Sequence, residues 1–282
     1  MSEQGGGFPR VIAYDLDGTV LDHGTLPKRT ARTLEKARGL GCVLAVATGR
    51  AYAGLKEQIR GMPADYYITS NGARTTQAGR ETPMLQTLLP GETARAAVAL
   101  LRPLGACFEL QLCGGALFER EMLRRWTRQG GFSLPDAVRF AGSLRRLRIV
   151  PDAGDFLGAD GGIEKLSAML PPGTDIPALC AALGGRFAVE AVPASDAALE
   201  MTARGVTKGA ALARLCAALG IRREEVVAFG DSGNDLSLRC AAGCFVAVDN
   251  AAPAVLAAAD AVTGSARAGG VADFLEKYVL GR

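Results

Sequence analysis

The sequence predicts an α/β protein in which a doubly wound, parallel-sheet core is interrupted by an inserted α+β domain. Between residues 9 and 84, and again from 204 to 282, short apolar stretches that favour strands alternate with segments of helical periodicity. This alternation is typical of a parallel sheet covered by helices on both faces. Residues 85–203 have shorter apolar stretches and more frequent turns, and we expect them to form the inserted domain.

The predicted core begins with a strand at Val11–Tyr14. Apolar residues recur every three or four positions in Lys28–Leu40, which predicts a helix, and Gly41 can end it. The later elements of this half are predicted at Val43–Ala47 (strand), Ala53–Ile59 (helix) and Tyr66–Thr69 (strand).

The same alternation resumes after the insertion. Leu212, Leu215 and Leu219 share one face of a predicted helix at Lys208–Leu219, and Gly220 follows it. The remaining core elements are predicted as strands at Val226–Phe229 and Cys244–Val248 and as helices at Asn234–Cys240, Pro253–Ala259 and Val271–Leu280.

The inserted domain is predicted to mix helices and short strands. A stretch rich in Gly, Pro and Asp, Val150–Gly162, separates its two parts. Its helices are predicted at Glu92–Leu101, Glu121–Gln129 and Ile176–Leu183, and its strands at Phe108–Leu112, Ala116–Glu119, Phe187–Val192 and Ala198–Thr202.

Composition excludes several classes of function. The net charge of +3, from 32 basic and 29 acidic residues, is too balanced for a nucleic-acid-binding surface. No stretch reaches the roughly 20 consecutive apolar residues of a membrane span, and Met1–Phe8 lacks a signal-peptide pattern. The seven cysteines form no C-x-x-C pair, and with the lone His23 and no G-x-S-x-G elbow a Ser-His-Asp hydrolase is disfavoured. We expect a soluble, cytoplasmic protein that binds neither nucleic acid nor membrane.

Four polar clusters lie at or beside the ends of predicted core elements. In an open parallel sheet the carboxyl ends of the strands meet at one edge, where ligands bind. The first cluster is Asp15-Leu16-Asp17-Gly18-Thr19, directly after the first strand. Two carboxylates at the end of a buried strand are costly unless they bind a cation or carry out chemistry. Gly18 allows the chain to turn sharply there.

The second and third clusters offer groups that can bind phosphate. Thr48-Gly49-Arg50 places a hydroxyl and backbone N–H groups at a strand end and helix start, although an ordinary helix cap is the alternative. In Gly205-Val206-Thr207-Lys208-Gly209, Lys208 opens a helix, where a cation is unfavourable to the helix dipole. This position suggests that Lys208 neutralises phosphate charge, with an exposed lysine as the alternative. The G-K-[ST] order of a P-loop is missing.

The fourth cluster is Gly230-Asp231-Ser232-Gly233-Asn234-Asp235, directly after a predicted strand. Asp231 and Asp235 bracket a turn, and Asp235 also suits the capping of a helix N-terminus. Carboxylate oxygens are hard ligands, and Mg²⁺ is bound in many phosphate sites by one or two carboxylates together with water. The cluster therefore predicts a Mg²⁺ site.

In this order, the four clusters resemble the four motifs of the haloacid dehalogenase superfamily of phosphohydrolases. The resemblance covers most of the chain. Thr69-Ser70-Asn71-Gly72-Ala73 resembles the segment that ends the core before a cap domain, and with the fourth cluster it is similar to the Cof-type subfamily, which has a large α/β (C2-type) cap. The resemblance implies a Rossmann-like core, Mg²⁺ as cofactor and hydrolysis of small phosphorylated metabolites such as sugar phosphates.

The resemblance also implies a role for each site residue. Asp15 is expected to be the nucleophile that becomes an aspartyl-phosphate, and Asp17 the general acid and base. Mg²⁺ is expected to bind Asp15, Asp231 and the backbone carbonyl of Asp17, while Asp235 supports the metal through water or orients Lys208. The expected phosphate-binding residues are Thr48, Gly49, Lys208 and Asn234, and the residues expected near the substrate are Asn71 and Asn250.

Two other functions remain as alternatives. A phosphomutase uses the same kind of nucleophile but forms an isomeric phosphate ester. A non-catalytic phosphate sensor is disfavoured because it would be expected to have lost Asp15, Asp17 or Lys208. We expect a monomer or weak homodimer whose cap closes over the site, with Arg74, Glu109, Gln111 and Arg120 as candidate substrate contacts.

Overall fold

A computed structural model of the protein describes residues 9–58, 62–128, 147–157 and 162–281. The described residues group into two compact units. The first contains residues 9–49, 62–86 and 207–281, and the second contains residues 50–58, 87–128, 147–157 and 162–206. The predicted domain boundaries stay a prediction. The predicted helix ends Ile59 and Gln129 lie outside the described residues.

Within the described residues, an eight-stranded sheet organises the first unit. Its strands are β1 (Val11–Tyr14), β2 (Val43–Ala47), β3 (Tyr66–Thr69), β4 (Arg74–Gln77), β5 (Leu85–Gln86), β12 (Val226–Gly230), β13 (Cys244–Val248) and β14 (Ala261–Thr263). They lie in the order β14-β13-β12-β1-β2-β3-β4-β5, and all neighbours from β14 to β3 pair in parallel. The antiparallel strands β4 and β5 extend one edge of the sheet. The strands β4, β5 and β14 were not predicted from the sequence.

Strand β1 lies at the centre of the parallel part. Val11 pairs with Val226 of β12 on one side and with Val43 of β2 on the other, and all four residues of β1 are fully buried. A strand covered on both faces needs apolar side chains at every position, which explains its continuous apolar run. Asp15 is the first residue after this strand, so the fold carries it to the buried middle of the sheet edge.

Helices lie between the strands of both units. Those of the first unit are α1 (Lys28–Gly39), α6 (Lys208–Ala218), α7 (Leu238–Ala241), α8 (Pro253–Ala258) and α9 (Gly270–Leu275), and those of the second are α2 (Tyr52–Gln58), α3 (Gly91–Leu101), α4 (Arg120–Arg128) and α5 (Ile176–Arg186). The predicted doubly wound α/β fold is thereby confirmed. No helix in the described part of the chain is long and apolar enough to cross a membrane.

One predicted helix is wrong. The sequence predicted a continuous helix at Asn234–Cys240, whereas the structure has a 3₁₀ turn at Gly233–Asp235 and the short helix α7. The carboxylate of Asp235 accepts hydrogen bonds from the backbone N–H groups of Asp231 and Ser232. These hydrogen bonds give the backbone N–H groups of the turn a partner outside a helix, so the chain forms a tight loop before α7 begins.

The second unit is organised by a six-stranded sheet within the described residues. Its strands are β6 (Cys107–Leu112), β7 (Gly115–Glu119), β8 (Leu147–Val150), β9 (Ile163–Met169), β10 (Val189–Ser195) and β11 (Ala198–Ala203), in the order β10-β11-β9-β6-β7-β8. Apolar residues such as Phe108, Leu166 and Met201 form a core with residues of α3 and α5. A smaller cluster contains Cys107 and Met169, neighbours in register.

The close packing of α6 against residue 237 gives a test of the fold. A Cβ atom on Gly209 would lie 1.9 Å from the carbonyl oxygen of Ser237, a backbone atom with little room to move. We expect Gly209→Ala to lower the free energy of unfolding by about 2 kcal/mol, the usual size of an overpacking effect. Chemical denaturation would measure it.

The matched control is Gly39→Ala, at the exposed end of α1, where an added Cβ meets nothing within 4 Å. There alanine is expected to be neutral or to stabilise by up to about 1 kcal/mol, because it has the higher helix propensity. Equal stabilities of the two variants would contradict the packing of α6 described here.

Candidate active site

The ends of four parallel strands bring three of the predicted clusters, and the turn after β3, to one edge of the first unit. Asp15 follows β1, Thr48 follows β2 and Asp231 follows β12, while Ser70 and Asn71 follow β3. Backbone bonds join these segments: the N–H of Asp15 donates to Phe229 (3.1 Å) and that of Thr48 to Ile68 (2.8 Å). Residues that are far apart in sequence therefore become neighbours, as the strand-end rule predicts.

The ammonium of Lys208 lies at the middle of the site. Its Nζ donates to Oδ1 of Asp15 (2.8 Å) and to Oδ1 of Asp235 (2.7 Å), and all three side chains are buried. Thr207 fixes the start of α6, because its hydroxyl accepts the backbone N–H of Ala210 at 3.0 Å. Lys208 is thus the first residue of a capped helix, and its side chain is directed into the site.

Burial and like charges set the electrostatics of the site. Burial raises the pKa of Asp15 well above its usual range, and the carboxylates of Asp235 and Asp231 add to this, while Lys208 acts against it. Burial tends to lower the pKa of Lys208, but Asp15 and Asp235 outweigh it and raise that pKa. Lys208 is therefore charged, and its ammonium contacts both Asp15 and Asp235.

Asp231 is held by a hydroxyl from the first cluster. The Oγ1 of Thr19 donates to Oδ1 of Asp231 at 2.7 Å. Burial raises the pKa of Asp231 to about 6, and Thr19 opposes this increase. Gly18 has φ +81°, and a Cβ there would lie 2.5 Å from Oδ2 of Asp231. Only glycine allows this approach in this backbone conformation.

The two carboxylate oxygens of Asp235 have different partners. Its Oδ1 accepts from Lys208, whereas its Oδ2 accepts the backbone N–H groups of Asp231 (3.1 Å) and Ser232 (3.0 Å). The hydrogen bond from Lys208 and the capping bonds of the turn are both present in the structure, and the support of a metal by Asp235 stays a prediction. Asp235 thereby couples the shape of the 231–235 turn to the position of Lys208.

The residues at this edge fit a divalent cation. One carboxylate oxygen from each of Asp15, Asp231 and Asp235 can be chosen so that the three atoms lie within 4.8 Å of one another. Three carboxyl groups face the single ammonium of Lys208, and a divalent cation would relieve the repulsion between carboxylates that adds to the raised pKa of Asp15. Asp17 does not belong to this cluster, and its side chain is exposed.

Asn71 and Asn234 lie beside each other. The Nδ2 of Asn234 donates to Oδ1 of Asn71 at 3.1 Å, and the backbone N–H of Asn71 donates to the carbonyl of Thr48 at 3.2 Å. Ser70 and Asn71 have φ values of 49° and 55°, a left-handed conformation that costs energy in residues other than glycine. The strained turn after β3 thus joins Asn234 to the loop of Thr48 and Gly49.

Asn250 is not part of the carboxylate cluster and lies between two loops beside it. Its Nδ2 donates to the carbonyl of Gly18 at 2.8 Å, and its Oδ1 accepts the N–H of Ala266 at 3.1 Å. The amide therefore connects the Asp15–Thr19 loop to the loop after β14. The predicted proximity of Asn250 to substrate stays a prediction.

The candidate cap residues have local partners. On β6, Nε2 of Gln111 donates to Oε1 of Glu109 at 3.0 Å. Arg74 is buried in β4 of the first unit, where its guanidinium donates to Thr76 and to the carbonyl of Glu81. Arg120 begins α4. Their predicted role in substrate recognition stays untested.

Sequence reasoning assigned no role to two residues that shape the site. Thr19 holds Asp231, and the hydroxyl of Ser237 accepts the N–H of Gly209 (3.0 Å) and donates to the carbonyl of Asn234 (3.0 Å). Thr19 could have been found as the hydroxyl that ends the first cluster. Ser237 has no such signal, because its partner Gly209 lies on another segment.

Comparison with known proteins identifies relatives along nearly the whole chain. A sequence model of the haloacid dehalogenase-like hydrolases matches residues 12–275. The 5-amino-6-(5-phospho-D-ribitylamino)uracil phosphatase YitU of Bacillus subtilis is 26% identical over 281 residues, which cover 96% of this chain and 97% of that protein. The HMP-PP phosphatase of Cronobacter sakazakii is 28% identical over 256 residues, covering 88% and 87%.

A solved structure shows the same fold. A haloacid dehalogenase-like hydrolase from B. subtilis superimposes with a TM-score of 0.84 over 95% of this chain and 99% of that chain, at 23% identity. The fold and the relatives define the class of enzyme as a phosphoric monoester hydrolase, which confirms that prediction. Because the family match covers most of its length, this protein belongs to the haloacid dehalogenase-like hydrolases.

The carboxylate cluster predicts that a divalent cation stabilises the folded protein. Adding Mg²⁺ to EDTA-treated protein should raise the melting temperature, since a ligand at 100 times its Kd stabilises by about 2.7 kcal/mol. Asp231→Asn keeps the side-chain shape but removes one charge, so we expect it to lose at least half of the rise. Differential scanning calorimetry would measure both.

The control is Asp196→Asn, which changes an exposed aspartate between β10 and β11 in the other unit. Its melting temperature should respond to Mg²⁺ as the wild type does. A response of Asp231→Asn as large as that of the control would argue against a cation at this cluster.

Proposed function

We propose that this protein is a Mg²⁺-dependent phosphatase that hydrolyses phosphate monoesters of small metabolites, sugar phosphates or similar compounds, through an aspartyl-phosphate on Asp15. The observation that carries the proposal is the bridge of Lys208 between Asp15 and Asp235, with Asp231 alongside. A carboxylate held by a buried ammonium, in a site suited to a cation, has the setting that a nucleophile for phosphoryl transfer needs.

In the first half of the proposed reaction, an oxygen of Asp15 attacks phosphorus in line with the leaving group. The bond between phosphorus and the ester oxygen breaks, and Asp17 donates its proton to that oxygen. The leaving alcohol departs neutral, and the phosphoryl group remains on Asp15. Asp17 is exposed, so its carboxyl group can reach a leaving group outside the buried cluster.

In the second half, Asp17 accepts a proton from a water molecule as that water attacks phosphorus. The bond between phosphorus and Asp15 breaks, which releases inorganic phosphate and restores both carboxyl groups. Asp17 therefore serves first as acid and then as base. It is deprotonated after the first step, as the second step requires, and protonated again after the second.

Charge neutralisation is assigned to the groups around the nucleophile. Lys208, Thr48, the backbone of Gly49 and Asn234 are proposed to hold the phosphoryl oxygens. Bound by Asp15, Asp231 and the backbone carbonyl of Asp17, with Asp235 in support, Mg²⁺ would reduce repulsion between carboxylate and phosphate and stabilise charge on the transferred group. The three carboxyl groups of the cluster support this assignment.

The substrate class is supported by the relatives. The phosphatase YitU acts on a phosphorylated ribitylaminouracil according to its name, and it aligns with nearly the full chain. We propose that the inserted residues 85–203 serve as a cap that selects the organic part of such a substrate. The cytoplasmic location and a monomeric or weakly dimeric state also stay proposals.

The nucleophile assignment predicts the behaviour of Asp15→Asn. An amide cannot form the acyl phosphate readily, so Mg²⁺-dependent phosphate release from a panel of phosphorylated metabolites should fall at least 1,000-fold, on the order of the loss of a catalytic nucleophile. Asp196→Asn should match the wild type. Phosphate release that survives in Asp15→Asn would overturn the mechanism.

The general-acid assignment predicts a dependence on the leaving group. For an alkyl phosphate, Asp17→Asn should lower kcat/KM by about 100- to 10,000-fold, because the alkoxide needs a proton as it leaves. For p-nitrophenyl phosphate, whose leaving group is stable as an anion, the first step should be affected far less. Burst kinetics would separate this step from hydrolysis of the intermediate. Equal loss in the first step for both substrates would contradict the role of Asp17.

A further inference from the structure

A cavity lies next to the carboxylate cluster, within the first unit. It has a volume of about 470 Å³. Asp17 lines it, whereas Asp15, Lys208 and Asp231 do not. Its other lining residues are Gly18, Leu21, Asp22, His23, Gly24, Asn250, Ser265, Ala266 and Arg267.

The position of Asp17 indicates which part of a substrate this cavity can receive. In the proposed function, Asp17 donates a proton to the leaving oxygen, so the leaving group must lie next to it. The residues that would hold the phosphoryl group are not part of the cavity wall. The cavity is therefore placed to receive the organic part of the substrate and not its transferred phosphate.

Part of the cavity wall belongs to a firmly held loop, residues 264–269. The backbone N–H of Gly270 donates to the carbonyl of Ser265 (3.0 Å), and the hydroxyl of Thr263 donates to the carbonyl of Gly270 (2.6 Å). A Cβ on Gly270 would lie 1.7 Å from the carbonyl oxygen of Gly264, so the two ends of the loop are in close contact. Arg267 lies within this closed loop.

Asn250 joins that loop to the catalytic loop. Its amide donates to the carbonyl of Gly18 and accepts the N–H of Ala266. Ala266 precedes Arg267, and Gly18 follows Asp17. Two hydrogen bonds through one side chain thus fix the spacing between the backbone that carries the proposed general acid and the backbone that carries Arg267.

Some arginines of this unit are paired with carboxylates, whereas, within the described ranges, Arg267 is not. Arg29 pairs with Asp273 and Glu276, and Arg38 pairs with Asp65. For Arg267, no carboxylate partner is found among the residues that the structure describes. Arg267 is exposed and lines the cavity.

We propose that Arg267 makes this cavity a binding site for a second anionic group, a carboxylate or a phosphate, on the leaving part of the substrate. The inference rests on the proposed function, because that function places the leaving group beside Asp17. Guanidinium binds both kinds of anion through paired hydrogen bonds. The preferred substrates are then phosphate esters of anionic alcohols.

The test uses two esters that differ in one group. 3-Phosphoglycerate has a carboxylate where glycerol 3-phosphate has a hydroxymethyl group. We expect the wild type to prefer 3-phosphoglycerate, and Arg267→Ala to lower kcat/KM for it by about 10- to 100-fold, the range for a lost charge-assisted hydrogen bond. For glycerol 3-phosphate the change should stay within about twofold. A phosphate ester whose alcohol carries a phosphonate in place of the carboxylate tests whether the site also binds a phosphorus anion.

Two variants serve as controls. Arg267→Lys keeps the charge without the paired donors and should retain part of the preference. Arg32→Ala removes another exposed arginine of the same unit, on α1 and outside the cavity, and should leave the ratio of the two substrates unchanged. Equal effects of Arg267→Ala on both esters, or no effect on either, would overturn the proposal.

Failure of the proposed function gives a different result. Hydrolysis of p-nitrophenyl phosphate by wild type and Arg267→Ala reports that function alone, since this substrate has no second anionic group. Should no ester be hydrolysed, calorimetric titration with the same two esters still compares their affinities for wild type and Arg267→Ala. Equal affinities of both proteins for 3-phosphoglycerate would then reject the anion site.

Discussion

The buried ammonium of Lys208 connects three segments that are far apart in the sequence. It joins the residue after β1, the start of α6 and the turn after β12, with bonds of 2.8 and 2.7 Å to Asp15 and Asp235. Burial is unfavourable to all three charges, and their mutual contact offsets it, together with the backbone N–H groups that donate to Asp235. Removal of one partner from such an arrangement typically costs about 3–5 kcal/mol, because an uncompensated charge is left inside. The geometry of the site therefore depends on this bridge.

The bridge in turn depends on the absence of side chains nearby. A Cβ on Gly230 would lie 2.4 Å from the Cβ of Asp235, and one on Gly72 would lie 2.3 Å from the carbonyl oxygen of Thr207. Gly72 also has φ +103°, which other residues adopt only with strain. These glycines allow the turn after β3, the helix start and the turn after β12 to approach closely enough for the charges to meet.

The charge distribution divides the site into two parts. Inside, the carboxyl groups of Asp15, Asp231 and Asp235 outnumber the ammonium of Lys208, which suits a divalent cation and an approaching phosphate. Outside, the cavity beside Asp17 is bounded by a loop that carries Arg267. Asn250 fixes the distance between the two loops. The arrangement separates the chemistry at phosphorus from recognition of the rest of the molecule.

The sequence by itself determined the parallel core and the location of its chemistry. Continuous apolar runs such as Val11–Tyr14 identify strands buried on both faces, and the rule that ligands bind at strand ends places Asp15, Thr48 and Asp231 at one edge. Lys208 was recognisable because a cation is unusual at a helix start. These features follow from local patterns of hydrophobicity and charge, which is why they could be predicted.

Only the tertiary structure decided which atoms meet. Lys208 and Asp15 are 193 residues apart, Thr19 and Asp231 are 212 apart, and Asn250 and Gly18 are 232 apart. The double role of Asp235 and the loop of Arg267 likewise depend on contacts between segments. Hydrophobic periodicity shows that a strand is buried, but it does not encode the register or side-chain packing that sets distances across the sheet edge, so these contacts had to be observed.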